Sequence, residues 1–188
     1  GNIMLHTTAS LGAEPPSAPV PPSPRHDFCI RTVTVFVNLC SSDFAGGGGG
    51  LRTAIDAAAS AGRRVELALS ASGYDVQTVR IATNDFPSYL IPDAPDEPAF
   101  ERNLSALAGA LDDARVTFCS VGRSRIPAHT ALVPSIVSAS PALSCSADVP
   151  TGASLAHAAA AASAAKKIAE TDPLGNFRFG SSSRVGDG

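Results

Sequence analysis

The residues best suited to bind a ligand lie where the predicted strands end. These polar positions are Asn38, Cys40, Asp43, Asn84, Ser120, Arg123, Asp148, Thr151 and Ser181 to Arg184. Ligands of parallel α/β sheets bind outside the carboxyl ends of the strands, so these side chains are expected to share one edge. This hydroxyl-rich rim with two arginines favours a small polar or anionic ligand. The candidate ligand-binding residues are therefore Asn38, Ser120, Arg123, Thr151, Gly152, Ser154 and Arg184.

The segment from Thr151 to Ser154 leads into a predicted helix and offers a second kind of anion contact. The first backbone N–H groups of a helix are free and the helix dipole favours negative charge there. Thr151 and Ser154 would add hydroxyl donors. The alternative is that one of these two residues is simply the helix N-cap.

Cys40 is a weak candidate for a catalytic nucleophile, because it follows the end of a predicted strand. A reactive thiolate needs a nearby base or positive charge. His129 is the only histidine outside the N-terminal segment and the alanine-rich helix, and no spacing places it beside Cys40. The alternative is an inert buried thiol, and Cys119 and Cys145 are interpreted as small core residues.

Other chemistries find little support in the sequence. The scattered cysteines and histidines lack the spacing of a zinc site, so no metal is expected and no cofactor is indicated. The five glycines at 46–50 lack the Lys-Ser/Thr of a phosphate-binding loop and are interpreted as a low-complexity linker. Asp112 and Asp113 are interpreted as part of a solvated helix face.

The elements that position these residues alternate between strand and helix. Residues 30–39 alternate β-branched and aromatic side chains, which predicts a strand, and apolar residues on both of its faces favour a central strand buried on both sides. Further strands are predicted at 76–83, 116–121, 142–149 and from 176. Helices are predicted at 51–72, 100–114, 129–138 and 154–170, with a loop at 84–98. The order β-α-β-α-β-α-β-α-β predicts an α/β fold with a mostly parallel sheet.

Composition limits the function classes. The chain has 188 residues and a net charge of −3, which gives no electrostatic case for binding nucleic acid or an anionic membrane. No apolar run approaches the roughly 20 residues that span a bilayer. Without a secretory signal, the four cysteines are expected to be free thiols in a cytoplasmic protein, with a plastid location as the alternative. The proline-rich residues 1–26 are expected to form a disordered tail.

Three motifs resemble one family. They are residues 30–34 with Asn38 and Leu39, residues 143–146 running into 152–155, and residues 175–180. Together they resemble the domain-of-unknown-function 711 family. The resemblance implies that residues 27–188 form the N-terminal part of a pyruvate formate-lyase-like α/β barrel, and the chain is therefore expected to be a fragment of a longer protein. Radical chemistry is not carried over, since residues 184–188 lack the tyrosine of the glycyl-radical motif.

Two functional hypotheses follow. The first is a protein that binds a small polar or anionic ligand at the carboxyl ends of its strands and is an enzyme when longer. The second is a non-catalytic protein that acts through homo-oligomerisation, using the alanine-rich helix and an open sheet edge. The convergence of polar side chains on one place would favour the first.

Overall fold

The computed structural model describes residues 29–91, 97–150, 152 and 155–183. The predicted tail at 1–26 lies outside these ranges, as do Thr151, Ser154 and Arg184. The strands are β1 (Val33–Val37), β2 (Val79–Thr83), β3 (Cys119–Ser124), β4 (Leu143–Val149) and β5 (Phe179–Ser183). The α-helices are α1 (Gly49–Ala71), α2 (Pro87–Leu90), α3 (Glu97–Asp113), α4 (Pro127–Thr130), α5 (Val133–Ala139) and α6 (Leu155–Thr171), and 3-10 helices span Ser41–Gly47 and Pro173–Arg178.

The five strands form one parallel sheet in the order β1-β2-β3-β4-β5. Each strand therefore pairs with the next strand along the chain, and helices make the connections. This arrangement confirms the predicted α/β fold with a parallel sheet.

One face of the sheet packs on the helices and holds the apolar core. Leu51 and Ile55 of α1 meet the β1–β2 side of this face, and the buried side chains of α3 and α5 continue the layer. At Gly62 of α1 the helix comes close to the sheet: a Cβ there would lie 2.6 Å from Cγ1 of Val79. The strands contribute Ile81, Cys119, Val121, Leu143 and Cys145 to this core.

The opposite face, here called the open face, is more exposed. The strand register places on it Thr34, Phe36, Arg80, Ala82, Ser120, Arg123, Ser144, Ser146, Asp148 and Ser182. Phe36 is 81% exposed. The prediction that the first strand is central and buried on both sides was therefore wrong. In the described residues β1 lies at an edge of the sheet, and its second apolar face has no covering layer.

Several predicted boundaries also differ from the structure. β3 begins three residues after its predicted start, at Cys119, and β5 follows the second 3-10 helix rather than starting at residue 176. The predicted loop at 84–98 contains α2, whose Tyr89 and Leu90 are buried. The predicted helix at 129–138 is two short helices, α4 and α5. The glycine run is not a linker: Gly46 and Gly47 end the first 3-10 helix and Gly48 precedes α1, all three with positive φ, and Gly49 and Gly50 begin α1.

Arg178 ties the last 3-10 helix to the rest of the domain. Its Nη1 donates to the carbonyl oxygens of Val137, Ser140 and Leu143 at 2.5, 2.8 and 3.3 Å. Its Nη2 donates to Asp172 at 2.9 Å. A cation therefore satisfies the carbonyls at the end of α5, which gives the motif at 175–180 a structural role.

All four cysteines are free, as predicted: Cys29 and Cys40 are exposed, and Cys119 and Cys145 are buried. Within the described ranges, no helix has both the length and the apolar character needed to span a bilayer.

Candidate functional site

Asn84 joins the carboxyl ends of β1 and β2. Its Oδ1 accepts from the N–H of Leu39 at 2.8 Å, and its Nδ2 donates to the carbonyl of Leu39 at 2.9 Å. The same amide nitrogen reaches Ser88 Oγ at 2.8 Å. The side chain thus continues the sheet hydrogen bonding past the end of β1. It fixes the backbone between Asn38 and Cys40, and the Asn38 side chain is left exposed at the edge.

A glycine bulge in β3 controls which residues reach the open face. Ser120 pairs with Ser144, but the next pair is Arg123 with Ser146, so β3 holds one extra residue. Gly122 has φ +73°, and a Cβ on it would lie 2.7 Å from the carbonyl oxygen of Asn84. Only glycine fits this left-handed position against the neighbouring backbone. Strict alternation would put Arg123 on the same face as Val121, and the bulge turns it to the open face instead.

Arg123 lies in a cluster of four charged side chains at the carboxyl ends of β2, β3 and β4. Its Nε is 3.6 Å from Asp85 Oδ1, and its Nη1 is 3.5 Å from Asp148 Oδ2. Arg125 Nε donates to Asp85 Oδ2 at 3.1 Å. Asp148 is the most enclosed member, with a side chain that is 14% exposed. The structure therefore brings the predicted Arg123 and Asp148 together.

Sequence reasoning missed Asp85 and Arg125 as members of this charged cluster. Two signals were available. Asp85 directly follows Asn84 at the end of β2, and arginines stand at alternate positions in the run from Arg123 to Arg125.

Hydroxyl groups line the open face beside the cluster. Ser120 pairs with Ser144 across β3 and β4, Ser146 pairs with Gly180, and Asp148 pairs with Ser182. Because β3 begins at Cys119, Ser120 lies near the start of the strand and not at its carboxyl end, where it was predicted. Ser120 lies on the open face, nearer the amino end of β3 than Arg123.

Cys40 has a capping role at the start of the 3-10 helix that follows β1. Its backbone N–H donates to Asp43 Oδ2 at 2.8 Å, and its Sγ lies 3.1 Å from Ser42 Oγ and 3.2 Å from Asp43 Oδ2. The predicted alternative of a buried thiol was wrong, since Cys40 is exposed. Its neighbours are a hydroxyl and a carboxylate, and no described hydrogen bond joins it to His129. We assign it no catalytic role.

The thiols of Cys119 and Cys145 and the phenol of Tyr89 belong to the core. Burial raises the pKa of the Cys119 and Cys145 thiols from 9.0 to about 12, which fits their interpretation as core residues. Burial also raises the pKa of Tyr89, whose hydroxyl is 2.7 Å from Thr83 Oγ1. Desolvation lowers the pKa of His129.

The predicted helix-start site falls mostly outside the described residues. Thr151, Ala153 and Ser154 are not described, and neither is Arg184. Gly152 is exposed with φ +74°. Within the described ranges no three of the His, Cys, Asp and Glu side chains group closely enough to hold a metal ion.

Two cavities lie at the other edge of the sheet, near the amino ends of the strands. One has a volume of about 340 Å³ and lies between α1 and the starts of β2 and β3. The other, of about 770 Å³, lies between α3 and the segment that follows α5. We place the candidate ligand site at the carboxyl edge because the side chains of Arg123, Arg125, Asp85 and Asp148 are paired with one another there.

Comparison with known proteins gives one family. The family model described as Uncharacterised ACR (DUF711) matches residues 24–186, which is most of the chain. No match was found among the curated proteins.

Proposed function

The chain belongs to the family described as Uncharacterised ACR (DUF711), and we propose that it binds a small polar anion at the carboxyl edge of its parallel sheet. Arg123 contacts the negative group of the ligand. The observation that carries this proposal is the Gly122 bulge, because it turns one arginine to the open face at the position where such sheets bind ligands.

Arg123 is able to bind a ligand although it is paired with Asp85 and Asp148. Its distances of 3.6 and 3.5 Å to Asp85 and Asp148 exceed the 2.7–3.2 Å of a good N–H···O hydrogen bond. A guanidinium has five N–H donors in a planar fork that matches a carboxylate or phosphate. The two aspartates hold the guanidinium in place, and its donors remain available for the ligand.

The carboxylates beside Arg123 restrict the ligand further. Asp148 is largely enclosed, and a bare anion placed there would be repelled by it. A ligand that carries a hydroxyl or amino group next to its negative group would donate to Asp148 and accept from Arg123. Hydroxy acids and phosphorylated polyols have this chemistry, and the serines of the open face would bind their remaining hydroxyls.

The open face has the polarity expected for the wall of an enclosed site. Five sequential parallel strands with the core on one face form the arrangement that α/β barrels use, in which functional residues lie at the carboxyl ends of the strands. We propose that this sheet is part of such a barrel and that the open face lines its interior. A catalytic activity of such a barrel would be located at the same edge.

Calorimetric titration with inorganic phosphate and with malate tests the proposal. The chain should bind malate more tightly than phosphate, and Arg123→Gln should weaken malate binding at least about tenfold, as expected for one charge-assisted contact. The control is Arg102→Gln, which removes an exposed arginine of α3 and should leave affinity unchanged. Equal binding by Arg123→Gln and the unaltered chain would refute the proposal.

A second candidate function is assembly through the open face. It is favoured by Phe36, a large apolar side chain that is 81% exposed on that face. Exposed alanines of α6 offer another surface for close approach. Sedimentation equilibrium separates the two candidates: a mass that rises with concentration, and falls again in Phe36→Ser, supports assembly. A constant monomer mass excludes it.

A further inference from the structure

The smaller cavity, of about 340 Å³, has a floor and a mouth of different chemistry. Ala58 and Ala59 of α1 line the cavity and are only 5% and 6% exposed, which places them at its floor. Arg63 and Arg115 also line it and are exposed, which places them at its mouth, and Arg115 lines the larger cavity as well. The lining also includes Glu66 and Arg80.

Arg63 is fixed in position at the mouth. Its Nη1 donates to the carbonyl of Ala114 at 3.1 Å, and its Nη2 reaches Ser60 Oγ at 3.5 Å. These contacts hold the charge against the last turn of α3 and leave further guanidinium donors for a ligand. Arg80, by contrast, donates from Nε to Thr34 Oγ1 at 2.9 Å on the open face, so its charge is turned away from the cavity.

Arg115 adopts a backbone conformation that is unfavourable for its residue type. It has φ +56° and is the one non-glycine residue with positive φ in the described part of the chain. Its N–H donates to Asp112 O, and the N–H of Val116 donates to Leu111 O, both at 2.9 Å, so α3 ends in a left-handed cap. Glycine is the usual residue there. An arginine at this position is costly for the fold, and strained residues of this kind cluster at functional sites.

We propose that this cavity binds a small organic carboxylate with a short apolar chain. Arg63 and Arg115 contact the carboxylate at the mouth, and the alanine floor contacts the chain. Glu66 offsets one of the two positive charges, which selects a singly charged anion over a phosphate. The cavity lies at the opposite edge of the sheet from Arg123, and this proposal stands independently of the ligand proposed there.

The test is calorimetric titration of the whole chain with butyrate, in an Arg123→Gln background so that the other edge of the sheet does not contribute. Butyrate should bind, and inorganic phosphate should bind at least tenfold more weakly. Arg115→Gly should weaken butyrate binding at least tenfold while raising the melting temperature, because glycine relieves the left-handed backbone. Arg64→Gln, which removes a neighbouring exposed charge outside the cavity, should change neither quantity.

A second variant separates charge from backbone conformation. Arg115→Gln keeps a side chain at the strained position but removes the charge, so it should lose affinity as Arg115→Gly does, without the gain in melting temperature. The proposal is overturned if butyrate fails to bind, or if both variants of Arg115 bind it as tightly as the parent chain. A lower melting temperature in Arg115→Gly would contradict the argument from strain.

Discussion

We predict that replacing Gly122 in the β3 bulge lowers the free energy of unfolding. Gly122 has φ +73°, and a Cβ on it would meet the carbonyl oxygen of Asn84 and Cα of Asp85, both at 2.7 Å. Both neighbours are backbone atoms of the end of β2, so neither is able to rotate away as a long side chain would. The Gly122→Ala substitution must therefore either strain its own backbone or displace the adjoining strand end.

The size of the effect follows from two contributions. A residue with a Cβ costs about 1–2 kcal/mol in the left-handed region. Overpacking of a tightly packed site adds about 1–3 kcal/mol. Gly122→Ala should therefore lower the free energy of unfolding by about 2–5 kcal/mol, a large part of the 5–15 kcal/mol that is typical of a domain.

Urea unfolding followed by far-ultraviolet circular dichroism measures this change. Gly109→Ala is the matched control: Gly109 lies inside α3, a Cβ there meets nothing within 4 Å, and the variant should gain about 0.5–1 kcal/mol. A Gly122→Ala variant that unfolds within about 0.5 kcal/mol of the parent chain, the usual range for surface substitutions, would show that the left-handed bulge is absent in solution.

Two further predictions concern the end of α5 and the buried thiols. Arg178→Ala should cost about 2–3 kcal/mol, because charged hydrogen bonds to the end of α5 are lost. Arg52→Ala, which breaks an exposed pair with Asp113, should change stability little, and equal losses in both urea titrations would argue against the capping role. The Cys119 and Cys145 thiols have folded pKa values of about 12 against an ordinary 9.0, so the unfolded chain binds fewer protons between these values. The free energy of unfolding should therefore fall as pH rises above 9.0, by up to about 1.4 kcal/mol per pH unit for each thiol. A flat profile in urea unfolding across that range would contradict their burial.

The order of elements was predictable because local patterns specify it. The alternation of Val33, Val35 and Val37 predicts a strand, and the spacing of Leu51 and Ile55 predicts an amphipathic helix. The exposure of Phe36 was not predictable. An apolar residue on the second face of a strand predicts burial there, and whether anything covers that face depends on other elements.

The residue at which a strand begins or ends depends on its pairing with neighbouring strands. The local sequence pattern carries no information about that pairing. Residues 116–118 are β-branched or aromatic and predict a strand, but β3 starts at Cys119. Gly122 then shifts the register by one residue, so the face of Arg123 could not be obtained from alternation. Gly122, which directly follows the predicted strand at 116–121, was the one local signal of this bulge.

The proposed ligand site is tested most directly by the Nε–Hε signals of the arginine side chains in proton–nitrogen NMR spectra during titration with malate. We expect a saturable shift of the Arg123 signal, with no change for Arg102 on the exposed face of α3. A titration in which Arg123 does not respond, while the chain remains folded, would contradict the assignment of a ligand site to the carboxyl edge of the sheet.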